Sequence, residues 1–139
     1  MLSKLQNVQN NSARVIAQTK KQNPTESIRR ELHWLPIEFR IKYKIILTTF
    51  KCLDNLAPNY LSDLLFPHVP GHSNLRSGDQ ALLKEKRTRT VAGDRAFSCA
   101  APFLWNKLPQ NLRAITSLES FKKDLKTHLF KLAFPEKVY

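Results

Sequence analysis

Glycine is scarce in this chain, three in 139 residues, at Gly71, Gly78 and Gly93. So few and so dispersed, they cannot form a turn that cradles a phosphate or a dinucleotide. Acid is scarce as well: 11 Asp and Glu, no two adjacent. Metal-dependent phosphoryl transfer needs clustered carboxylates that hold two cations about 4 Å apart. The nearest pairs, such as Glu119 and Asp124, fall on different faces of a helix. Polymerase or nuclease chemistry by this chain alone is therefore not expected, and no Gly-x-Ser-x-Gly elbow occurs. Two cysteines, Cys52 and Cys99, are too few for a disulfide scaffold, and both lie in apolar surroundings. They read as reduced packing residues of an intracellular protein, in nucleus or cytoplasm. A mid-helix apolar position gives Cys52 neither the base nor the exposure of a nucleophile. No apolar run approaches the ~20 residues of a membrane span, and no apolar leader follows Met1. Neither a membrane partner nor export is expected.

Positive charge is what the chain has in excess. Lys and Arg number 23, giving a formal net charge of +12, while the hydrophobic fraction of 42% is ordinary for a folded domain. A chain of this size buries about two-thirds of its unfolded surface. The cationic excess opposes compaction and attracts polyanions, nucleic acid before anionic membrane. The plainer reading is a solvated basic surface, since charge alone carries no specificity.

Periodicity predicts an all-α fold of five to six helices in an irregular bundle with a long basic loop. Over 2–19, Leu2, Leu5, Ser12 and Ile16, widened by Val8 and Val15, form a stripe that should lie on the core. Pro24 opens a short helix to about Leu32, and Pro36 opens a longer one to about Leu56 that is apolar almost all round. On that third helix Arg40, Lys44 and Lys51 share one narrow sector, either a solvated edge or a phosphate-facing ridge. Pro58 starts a short helix with Tyr60, Leu61, Leu64 and Leu65 as its apolar side. From about Pro67 to Thr90 turn residues prevail, a loop long enough to be functional or disordered. Its second half is basic, and Thr88, Thr90 and Val91 alternate in a way compatible with a short β-hairpin around 82–92. Asp94 or Gly93 should cap a helix carrying Ala96 to Trp105, which Pro102 kinks or restarts. Ser117 should cap a last helix striped by Leu118, Phe121, Leu125, Leu129 and Leu132. The chain reads as one module, 1–139, with any seam falling in 67–93.

His68 and His72 stand four apart with Pro70 between them, and Cys52 completes only a poorly spaced trio, so no metal site is expected. His33 and His128 read as packing or capping residues. Trp34, Trp105, Phe103 and Tyr60 sit in Pro-bounded joints, where rings either lock helices together or stack on unpaired bases. Phe130, off the final stripe, reads as an exposed contact.

The joints also carry a resemblance. In order they are Leu5-Gln6-Asn7-Val8-Gln9-Asn10 with Ala13-Arg14, Leu32-His33-Trp34-Leu35-Pro36 with Arg40, and Thr49-Phe50-Lys51. Ala57-Pro58-x-Tyr60-Leu61 and Gly93-Asp94-Arg95-Ala96-Phe97 follow. Last come Ala101-Pro102 through Trp105-Asn106-x-Leu108-Pro109, then Ser120-Phe121-Lys122-x-x-Leu125-Lys126. Together, over essentially the whole chain, they resemble the C-terminal tail of the reverse transcriptase polyprotein of non-LTR retrotransposons of the chicken-repeat-1/L2/jockey-like kind. The resemblance implies a parent with RNA-directed DNA polymerase and endonuclease activities. It carries over no catalytic residue, because the Tyr/Phe-Ala-Asp-Asp motif, the endonuclease and a Cys/His knuckle are all absent from this stretch.

The expected function is thus non-catalytic contact with RNA or DNA beside the remainder of such a polymerase. No cofactor or small-molecule substrate is expected. The candidate phosphate contacts are Arg40, Lys44, Lys51, Lys84, Lys86, Arg87, Arg89 and Arg95. A scaffold segment of the same polyprotein, or an inactive remnant of a truncated element, are the competing readings.

Overall fold

The computed structural model describes residues 2–20, 24–69 and 81–135. It is all-α, with helices α1 (Leu2–Ile16), α2 (Thr25–Glu31), α3 (Ile37–Leu53), α4 (Asn59–Ser62), α5 (Val91–Asp94), α6 (Phe97–Asn106), α7 (Gln110–Arg113) and α8 (Leu118–Ala133). The count exceeds the five or six expected because α4, α5 and α7 are single turns of 4 residues. Pro24, Pro58 and Pro109 each stand immediately before a helix in extended backbone, a place where a missing N–H costs nothing. The chain forms two compact units, Met1–Tyr43 with Lys126–Tyr139, and Lys44–Leu125. The stretch 67–93 lies inside the second unit, and the boundaries fall within α3 and α8.

In the first unit α1 packs on a face rotated from the expected stripe, with Lys4, Asn7, Asn11 and Gln18 in solvent as expected. Gln9 (6% exposed) and Ala13 are its buried residues, whereas Leu2, Leu5, Val8, Val15 (77%) and Ile16 face solvent. Hydrogen bonds hold the packed face. Gln9 Nε2 donates to the Leu35 carbonyl at 2.8 Å, and Gln6 Oε1 accepts the Ile37 amide at 2.9 Å. Ile37 is the first residue of α3, whose opening N–H groups have no helical acceptor. The Gln6 and Gln9 side of α1 therefore meets the start of α3 across Pro36. Arg29 Nη1 adds a bond to Asn10 Oδ1, and Gln6 Nε2 bonds Gln9 Oε1 and Asn10 Oδ1.

The end of α8 is tied down by stacking and by Arg30. Leu129 and Phe134 are buried, while Leu132, expected on the stripe, is exposed. Phe130 is not the free contact expected: its ring stacks on His33 at 5.5 Å and lies 4.8 Å from Phe134. Arg30 Nη2 donates to the carbonyls of Phe134 and Pro135 and its guanidinium lies over the Phe134 ring. Burial pushes the His128 imidazole down, and the Lys131 ammonium adds to the effect.

Three helices finish in left-handed turns without glycine. Gln18, His33 and Asn55 have φ of 49, 53 and 55°. Each following amide reaches back to a carbonyl five residues earlier: Thr19 to Arg14, Trp34 to Arg29, and Leu56 to Lys51. This is the Schellman closure, usually given to glycine because a Cβ disfavours the left-handed region.

Three outcomes follow from this unit and these caps. Gln9→Ala should cost about 1–3 kcal/mol, the range for orphaning a buried partner, whereas Val8→Ser and Val15→Ser should stay within about 0.5 kcal/mol; urea melts distinguish them. Gln18→Gly should raise stability by roughly 0.5–1 kcal/mol in the same assay. Because His128 holds its proton less tightly folded than unfolded, its contribution is intact above the ordinary histidine range, near pH ~6.5. That contribution is lost as pH falls through the range, since the unfolded chain takes the proton first. His128→Gln should remove this part of the acid-side loss in a pH series of melting temperatures.

Candidate nucleic-acid interface

The second unit is built on stacked rings. Phe50 and Phe121 stack at 4.2 Å between centroids, and Trp105 tilts against Phe121 at 5.9 Å. Ile46, Thr49, Cys52, Leu108, Leu112 and Leu125 complete the buried set with Ala101 and Pro102. Pro102 sits inside α6 rather than ending it. Burial pushes the Cys52 thiol up, opposed by a contact with Ser62, so Cys52 is a packing residue.

Trp105 (2% exposed) satisfies the packing reading, but its indole has a further role. Trp105 Nε1 donates to the Ala81 carbonyl at 2.8 Å. The next residue, Asn106, pairs with Leu83 through both halves of its amide. Its Oδ1 accepts the Leu83 N–H at 2.9 Å and its Nδ2 donates to the Leu83 carbonyl at 2.8 Å and to Glu85 Oε1 at 2.9 Å. On the opposite edge the Lys84 amide bonds the Phe66 carbonyl at 2.8 Å and the His68 amide bonds the Leu82 carbonyl at 2.9 Å. Residues 81–85 are thus an extended rail gripped along both edges. Ala81 enters it at φ 48°, a left-handed value held by the indole bond.

The hairpin expected around 82–92 is not formed: residues 82–92 hold no strand, and Leu83 makes its antiparallel bridge with Pro67 instead. Pro67 occupies the position in that bridge that needs no N–H, an arrangement suited to proline. The threonines that suggested a strand are used otherwise. Thr90 Oγ1 accepts the Gly93 amide at 3.0 Å and so caps α5, and Thr88 Oγ1 donates to Asp94 Oδ1. Neither Gly93 nor Asp94 caps α6, which begins after Ala96 without a side-chain cap. A Cβ on Gly93 would stand 3.0 Å from both Thr88 Cβ and Thr90 Oγ1, so the turn requires glycine for close approach rather than for its φ.

Between the rail and this turn lies the basic segment. Lys84, Lys86, Arg87, Arg89 and Arg95 are all exposed. Its two acids have partners of their own: Glu85 accepts from Asn106, and Asp94 from Thr88. The ion pairs described, Lys42 with Glu38 and Lys122 with Glu119, involve none of these cations. Lys86 instead sets its Nζ 4.9 Å from the centroid of the Phe66 ring. These five are neighbours in sequence. Arg40, Lys44 and Lys51 stand apart from it in sequence on α3, Arg40 and Lys44 exposed and Lys51 half-buried.

The aromatic joints divide. Trp105 is core, Trp34 is half-buried, and Phe103 (47% exposed) and Tyr60 face solvent. Phe103 carries the Lys107 ammonium 3.9 Å from its centroid. Beside the rail a cleft of about 280 Å³ is lined by Phe50, Leu83, Trp105, Ile115 and Arg113 among others. Arg113 Nε and Nη1 are buried there without a hydrogen-bond partner. Among the described residues no three His, Cys, Asp or Glu side chains converge in a way that could hold a metal ion. His72 and the turn residues Pro70-Gly71, Ser73-Asn74 and Ser77-Gly78-Asp79 lie outside the described residues. No helix among the described residues is long and apolar enough to cross a membrane.

The chain matches no protein-family model, no curated protein and no solved structure.

Asn106 is the residue that sequence reasoning passed over, noted only as part of a joint motif. Asn106→Ala should leave Leu83 with two unpaired backbone groups and cost about 1–3 kcal/mol. Hydrogen exchange checks it directly: the Leu83 amide should lose protection while the α8 amides near Phe121 keep theirs. Gly93→Ala should loosen the Thr90-capped turn, seen as faster exchange at position 93.

Proposed function

We propose that this chain is a non-catalytic segment that contacts RNA or DNA, similar in role to the C-terminal tail of a non-LTR retrotransposon reverse transcriptase. The observation that carries the reading is the state of the basic segment. Five exposed cations stand in 84–95 while its two acids are engaged by Asn106 and Thr88. The five cations outnumber the two acids and share no described ion pair with them, and an excess of exposed cations replaces the counterions of a phosphate backbone. The rail adds order: gripped on both edges, it presents Lys84 from a backbone that is already fixed, with Lys86 laid on the Phe66 ring just beyond it, so less entropy is lost on binding. Lys44 and Lys51 are further candidate cations of the second unit, and Arg40 is a candidate in the first.

In this reading the chain performs no bond-making step and needs no cofactor or small-molecule substrate. Its partners are nucleic acid and the remainder of a polymerase, in nucleus or cytoplasm, and its helices form an irregular bundle. The scaffold reading is favoured by one specific observation, the outward apolar side of α1, which a neighbouring protein could cover.

Salt separates the two. With about six cations on phosphates, log affinity should fall against log salt with a slope near −5. Charge reversal of Lys86, Arg87 and Arg89 to Glu should flatten that slope with helix content by circular dichroism unchanged. Absence of binding to RNA and DNA at low salt would leave the scaffold reading in its place.

A further inference from the structure

We infer that Phe66 with Lys86, and Phe103 with Lys107, are ring-and-ammonium pairs that take unpaired nucleotides of a single strand, the base on the ring and its phosphate on the lysine. This rests on the reading of the chain as a nucleic-acid contact and narrows it to single strands. In the second unit Phe50, Trp105 and Phe121 are spent on the core, stacked or tilted on one another. Phe66 and Phe103 differ from them. Each is 47% exposed, and each has a lysine nitrogen over its face, at 4.9 and 3.9 Å.

Both rings are mounted on fixed backbone. The Phe66 carbonyl accepts the Lys84 amide, so Phe66 lies directly opposite Lys84 across the Pro67–Leu83 bridge. Residues opposite one another, and those two apart on an extended chain, share a face. Phe66, Lys84 and Lys86 therefore project together, away from Leu83, whose side chain is buried on the other face. Phe103 and Lys107 are one helical turn apart at the end of α6, the α6 side that also supplies Asn106. An exposed ring on a fixed backbone stacks on a base with little backbone ordering, and a lysine resting on it moves aside readily onto a phosphate. A duplex hides its base faces and leaves phosphates and groove edges within reach. Cations alone serve either form; rings serve only the unpaired one.

The test measures affinity of the full chain for a single-stranded oligonucleotide of about twenty nucleotides, as RNA and as DNA, and for the matching duplex and an abasic strand of equal length. The expected result is tightest binding to the single strands, with the abasic strand and duplex weaker by roughly fivefold or more. Phe66→Leu and Phe103→Leu keep the apolar bulk and should each remove a similar factor on the single strand only; Phe66→Trp should restore or exceed the parent affinity. Lys86→Ala should lower the salt slope by about one on every probe. Equal affinity for single, abasic and duplex strands, with the leucine variants unchanged, would overturn the ring-and-ammonium role and leave nucleic-acid contact standing. No binding to any probe would overturn both. Comparing the RNA and DNA arms of a supportive result identifies which strand is taken.

Discussion

The two-sided pairing of the Asn106 amide with Leu83 is the contact on which the second unit depends. A carboxamide has the same donor and acceptor as a peptide group, so one side chain closes the edge that a second strand would otherwise close. Leu83 is thereby satisfied without a sheet, its side chain is free to enter the core, and Lys84 and Lys86 are turned outward. The Trp105 indole secures the residue where the rail begins, and the Phe66 and His68 backbones secure the far edge. Among the described residues one bridge stands in place of a ladder, so removing the amide would leave little to keep residues 82–85 extended.

A related economy runs through the first unit. Gln6 and Gln9 serve backbone groups on either side of Pro36, while the apolar stripe of α1 faces solvent. Each unpaired buried backbone group would cost about 1–3 kcal/mol, so the two amides fix which side of α1 meets the start of α3. Scarcity of glycine has its own consequence, since Gln18, His33 and Asn55 accept left-handed backbone where glycine would do so without strain.

The helical class, the proline-opened starts of α2, α3 and α4, and the burial of Phe121, Leu125 and Leu129 were legible from spacing and turn residues. The basic stretch 84–95 was legible as charge. Its conformation was not. Thr88 and Thr90 look like strand residues by alternation, yet their hydroxyls bond Asp94 and the Gly93 amide, a local competition that periodicity does not register. The stripe on α8 held for three positions and then drifted, leaving Leu132 exposed and Phe134, just past the helix end at Ala133, buried. Phe130 was misplaced because its partners His33 and Phe134 come from other parts of the chain.

By itself the sequence determined composition-level and local properties: an all-helical chain, strongly cationic, poor in glycine and in clustered acid. Those follow from residue counts and from contacts within a few positions. Tertiary structure alone decided which face of α1 packs, what Asn106 grips 23 residues earlier, and which rings stay in solvent. Each of these is a bond between groups far apart in the chain, and such a bond leaves no period in the sequence because its partners meet only once the helices have been placed.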